Sequence, residues 1–169
     1  LQQALQANGH TVHQLPRWDD ETADQLSPAP YAVWFISQGD SGHLPELLGA
    51  ATDLWLNQAS ACVRWLMAHD ARPGLEPVLV AVTRRALTAH GAASHPVDAL
   101  AAGIWSVAPK EYTGLTTLWL DLPGDAGADC VAPSVNEWQH AILHATGQAS
   151  RVCLTPTQRT TLTWERQTV

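Results

Sequence analysis

Basic charge is scarce in this chain. Nine Lys and Arg stand against sixteen Asp and Glu, a formal net charge of −7 at pH 7. Nucleic acids and anionic membrane surfaces are gripped by clustered cationic side chains, so neither is expected as a partner. Cysteine is scarce too. Cys62, Cys130 and Cys153 are widely spaced and odd in number. They suggest neither a disulfide framework nor a CxxC pair, and point to a reducing, cytoplasmic setting. No apolar run reaches the roughly 18 residues that a membrane span requires. There is no signal-peptide pattern. Leu1 opens directly into helix-like sequence, without Met, so the chain reads as a piece of something larger, with Leu1 either a true start or the sequel to an unseen first strand.

Two absences bear on chemistry. A dinucleotide site in a doubly wound sheet opens with a strand and a Gly-rich turn that brings backbone amides against a pyrophosphate. No G-x-G-x-x-G occurs here, and the nearest cluster, Gly124-Asp-Ala-Gly127, has the wrong spacing and reads as a loop. A reductase of the short-chain type needs a Tyr proton donor with a Lys four residues on. The tyrosines are Tyr31 and Tyr112, followed at that distance by Phe35 and Thr116; Lys110 precedes Tyr112 instead. No catalytic, cofactor-binding or metal-binding residue is therefore expected in this chain.

What is present is an alternation of strand-like and helix-like segments. At 169 residues, with 46% hydrophobic and 15% charged side chains, the chain fits one domain with a well-filled core. Residues 1–8 have helical spacing with Gly9 as C-cap, and 11–15 read as a short strand. The acidic, proline-bearing stretch 16–30 reads as a surface connection. Segments 31–37, 77–83 and 116–122 are near-continuous apolar runs of strand length, as in strands covered on both faces. Residues 46–69 carry Leu48, Ala51, Trp55, Ala59, Cys62 and Leu66 on one helical stripe. Residues 96–108 form a helix rich in Ala and Gly, closed by a Pro109-Lys-Glu-Tyr112 turn. Ser134 is placed to cap a further helix to Thr146, with Glu137 as its capping-box partner. Residues 151–154 and 160–165 read as a hairpin around Pro156-Thr-Gln-Arg159. The fold class is α/β: a truncated Rossmann-like parallel sheet flanked by helices, with a C-terminal β-hairpin.

Several constellations invite functional readings. Gly39-Asp-Ser-Gly42 has the letters of a serine-protease nucleophile loop, but His43 follows where that family has glycine, and the fold expected here is α/β. A triad is defined by geometry and roles, so the segment reads as a loop. Loops at strand carboxyl ends are where open α/β sheets bind ligands, which leaves Ser41 and His43 as lining of a vestigial pocket. Glu137, His140 and His144 could offer three metal ligands on one helix face. They lie opposite the apolar stripe Val135, Trp138, Ile142 and Ala145, and read as a solvated face. Arg84-Arg85 reads as a solvated edge. Of the eight tryptophans, most are expected in the core. Trp164 and Trp18 are the candidates for an interface, where aromatic anchors concentrate binding energy.

Four phrases in order carry a resemblance: Leu5-Gln-Ala-Asn-Gly-His-Thr-Val-His13; Val80-Ala-Val-Thr-Arg84; the segment from Gly103 through Pro109-Lys-Glu-Tyr112 to Asp121; and Val152-Cys-Leu-Thr-Pro-Thr-Gln-Arg-Thr-Thr-Leu-Thr-Trp164. Together they resemble the structural subdomain of modular polyketide synthase ketoreductases. Departures are Thr113, where the family usually has Pro, and Thr155, where it usually has Arg. The resemblance implies a noncatalytic, cofactor-free truncated Rossmann-like domain. Its partner would be an adjacent catalytic subdomain, beginning beyond Val169, that binds NADPH and reduces β-ketoacyl groups on an acyl carrier protein. In some modules of that family a methyltransferase or enoylreductase is inserted, and some copies are non-reducing scaffolds. The alternative from the residues themselves is a free-standing small-ligand-binding Rossmann-like domain.

Overall fold

The computed structural model describes residues 2–12, 32–36, 57, 59–62, 77–86 and 101–162. Their strands form one five-stranded sheet in sequential order. β1 (Ala32–Ile36), β2 (Val78–Arg84), β3 (Thr116–Leu122) and β4 (Ala149–Leu154) are parallel, and β5 (Arg159–Thr161) returns antiparallel to β4. The α/β class, the parallel sheet and the C-terminal hairpin are as the sequence pattern predicts. Thr11 and Val12 carry no strand; the remainder of the strand expected at 11–15 lies outside the described residues.

The apolar runs become strands because both of their faces are covered. The first six residues of β2 and the first six of β3 are all buried. Alternation sends Leu79, Ala81 and Trp119 to one face, where α2 (Ala101–Glu111) and the helical residues 59–62 cover them. Val78, Val80, Val82, Leu118 and Leu120 point to the other face, beneath α1 (Gln2–Ala7) and α3 (Val131–Leu143). Ala59 and Cys62 are buried as their stripe requires; its other members lie outside the described residues. α2 leads into β3 and α3 leads out of it, yet they lie on opposite faces although the strands are added in one direction. A uniform crossover hand would place both on one face.

α1 stops at a Schellman turn. Gly9, at φ 83°, donates to the Gln6 carbonyl at 3.0 Å, and His10 donates to the Leu5 carbonyl at 3.2 Å. Only glycine takes that dihedral at little cost. The stop sets the His10 ring edge-on against Trp138 of α3, centroids 4.4 Å apart.

Two local expectations are corrected. Pro109-Lys-Glu does not form a turn; α2 runs through it to Glu111. Proline removes the N–H that would bond four residues back, leaving the Trp105 carbonyl without its helical donor. Thr117, facing it from β3, supplies one: its hydroxyl donates to the Trp105 carbonyl at 2.6 Å. A tertiary contact thus repairs the helix and lets it pass through proline. Ser134, likewise, is not an N-cap. A 3₁₀ turn (Ala128–Cys130) leads into α3 with Cys130 at the cap position. Ser134 lies inside the helix, buried, and its hydroxyl bonds back to the Cys130 carbonyl at 2.8 Å.

The repair predicts a coupled pair. Thr117→Val should destabilise by about 1 kcal/mol in urea denaturation, the loss of one buried hydrogen bond. In a Pro109→Ala background, where the helix has its own donor, the same substitution should cost markedly less. Equal losses in both backgrounds would rule out the coupling.

Candidate functional site

Open α/β sheets receive ligands at the carboxyl ends of their strands. Here that end is occupied, on the α2 face, by a buried polar network. Parallel register aligns Thr83, Asp121 and Cys153 across β2, β3 and β4. The Thr83 hydroxyl donates to Asp121 Oδ1 at 2.7 Å and accepts from the Trp119 indole N–H at 2.7 Å. The Ala86 amide donates to the same carboxylate oxygen at 2.9 Å. Thr83 is fully buried and Asp121 is 4% exposed. A carboxylate in such a setting requires several donors, and the chain turns to deliver one of them. Arg85 takes φ 54° between its own amide, bonded to the Leu122 carbonyl at 2.9 Å, and the Ala86 amide on Asp121. Its side chain crosses Gly124, where a β-carbon would come within 2.5 Å of Arg85 Cδ.

The thiols share this dry setting. Burial, and secondarily the Asp121 carboxylate, push the Cys153 thiol up to about 11. Burial alone pushes Cys62 up. Burial and then Asp129 and Asp125 raise Cys130. All three cysteines are free and buried, so they are protonated, poorly nucleophilic thiols at neutral pH.

The groups that a reductase would use lie elsewhere. Lys110 and Tyr112 sit at the end of α2, which leads through the turn at Gly114 into the amino end of β3. That is the opposite end of the sheet from Asp121. Gly124-Asp-Ala-Gly127 is a turn, with the Ala126 amide on the Pro123 carbonyl at 3.1 Å. Arg84 and Arg85 are exposed, as a solvated edge would be.

Glu137 is separated from His140 and His144. It is not on the open face: its side chain is 15% exposed, and both carboxylate oxygens are engaged by Arg159 of β5, one through Nε and the other through Nη2 at 3.1 Å. His140 and His144 are exposed, with ring centroids 4.5 Å apart. Among the described residues no group of three or more His, Cys, Asp or Glu is arranged to hold a metal. Trp105, Trp119 and Trp138 are core residues. Ser41, His43, Trp18 and Trp164 lie outside the described residues. The Thr83–Asp121 pairing is not visible in either strand read singly. Its signal is that β2 and β3 both carry a polar residue at the sixth position.

Comparison of this chain with protein-family models, with curated proteins and with solved structures finds no match. Among the described residues no helix is long and apolar enough to cross a membrane.

Two measurements check the network. Thr83→Val keeps the shape and removes the hydroxyl, leaving the Trp119 N–H without its acceptor and Asp121 short of one donor. A loss of about 2–4 kcal/mol in urea denaturation is expected, against a smaller loss for Thr83→Ser. Similar losses for the two would show that the hydroxyl contributes little.

The thiols also predict alkaline destabilisation. Their folded pKa is raised, so the stability they contribute is present below the unfolded value of 9.0 and is lost as pH rises from there toward the folded value. Between pH 8 and pH 10 each of Cys62 and Cys153 should forfeit about 1 kcal/mol. Cys153→Ala should flatten that pH slope by its share.

Proposed function

We propose that this chain is a noncatalytic structural subdomain of a polyketide synthase ketoreductase or pseudo-ketoreductase. In this reading it stabilises an adjacent NADPH-dependent catalytic subdomain that acts on β-ketoacyl thioesters of an acyl carrier protein, or serves as a non-reducing scaffold in its module. Its setting is cytoplasmic. NADPH belongs to the neighbouring subdomain or to none, and an inserted methyltransferase or enoylreductase is the other candidate neighbour.

The observation that carries this reading is the buried hydrogen-bonded network at the carboxyl ends of β2 and β3. Thr83, Trp119, Asp121 and the Ala86 amide hydrogen-bond to one another there, where a reductase would present a Gly-rich turn to a pyrophosphate. Lys110 and Tyr112 stand at the other end. The phrases that resemble the family also fall, in chain order, on α1, β2, α2 with β3, and β4 with β5.

The test is to produce the chain with and without the polypeptide that follows it in its parent protein. Alone, it should neither bind nor oxidise NADPH. Mixed with a separately produced catalytic subdomain, it should form a complex and raise that partner's melting temperature by several degrees. NADPH turnover by the chain alone, or no association with the catalytic half, would overturn the proposal. Saturable small-molecule binding abolished by Ser41→Trp would instead establish a free-standing ligand-binding domain.

A further inference from the structure

α3 closes on two histidines one turn apart. His140 lies in its last turn, and His144 caps it, its amide donating to the His140 carbonyl at 3.0 Å. Both side chains are exposed. Their rings lie with centroids 4.5 Å apart and planes inclined at 51°. Core packing does not require this pairing, because the helix buries Val135 and Trp138 against the sheet on a different side. Glu137, the carboxylate nearest in sequence, is held by Arg159 through both oxygens.

We infer that His140 and His144 form a surface chelate for a borderline divalent transition-metal ion of the zinc, nickel or copper class, with water completing its coordination. Imidazole nitrogen is the commonest protein donor to these ions. His140 and the C-cap residue His144 stand at i and i+4, the spacing with which an H-E-x-x-H helix grips zinc, and their rings lie together at the end of α3. The backbone bond between the two residues holds their main chains one turn apart, so the two side-chain rotamers are what remains to be ordered when the ion arrives. The partial negative charge at a helix carboxyl end also favours a cation. Arg159 keeps Glu137 from serving as a third ligand, which leaves coordination positions open to solvent and the ion exchangeable. Magnesium and calcium prefer oxygen donors and find none in the pair. The inference holds whether or not the chain belongs to a reductase.

The 169-residue chain, stripped of metal, is titrated with Zn²⁺ by calorimetry beside His140→Gln and His144→Gln. The expected result is saturable binding of one ion per chain, weakened roughly tenfold or more by either substitution, with excess Mg²⁺ not competing. Both side chains are exposed, so the metal-free melting temperatures should match that of the parent chain. Absence of saturable binding, or affinity in both variants unchanged from that of the parent chain, would overturn the assignment.

Discussion

The parallel pairing of β2 with β3 governs the remaining structure. Val78–Arg84 and Thr116–Leu122 run side by side in unbroken register, and six residues of each are hidden from solvent on both faces. A sheet centre of that kind cannot face water anywhere, so each face needs its own helical cover. α2 and the helical residues 59–62 supply one cover; α1 and α3 supply the other. Trp105 and Trp119 fill the first layer and Trp138 the second, each at most 5% exposed. The assignment of α2 and α3 to opposite faces follows from the same demand, since either face left bare would expose a row of large apolar side chains.

Covering both faces also strands polar atoms in a dry interior, and the two most informative contacts answer that problem. Proline at position 109 deprives the Trp105 carbonyl of a donor, and Thr117 returns one across the layer. Asp121 arrives at the end of β3 as a carboxylate, and Thr83 and the Ala86 amide neutralise its cost. An unmade hydrogen bond in such a place is expensive while a made one contributes modestly. These contacts therefore discriminate between right and wrong strand pairing more than they add to stability. The second of them sits at the carboxyl ends of β2 and β3, the feature on which the proposed scaffolding role rests.

Strand positions were legible in the sequence where burial is two-sided. The run at 116–122 coincides with β3, and the runs at 77–83 and 31–37 match β2 and β1 to within a residue at each end. Helix ends were less legible. Ser134 followed by Glu137 has the letters of a capping box, but the chain begins α3 earlier, at Val131, and Glu137 turns to Arg159. Pro109 has the letters of a helix stop, yet Thr117 overrides it. Residues distant in sequence, Thr117 for Pro109 and Arg159 for Glu137, make the contacts that local pattern does not record.

The sequence by itself determined the class of fold, the strands buried on both faces and the Val135–Trp138 face that α3 turns inward, because hydrophobic periodicity is a local property that burial reads directly. It likewise excluded a Gly-rich phosphate turn and a Tyr–Lys pair, which are strings of residues at set spacing. The tertiary structure alone decided which polar side chains meet. Thr83 and Asp121 are 38 residues apart, and Glu137 and Arg159 are 22 apart. Such pairs are created by strand register and by the angle at which a helix crosses the sheet, and both are set only when the whole layer packs.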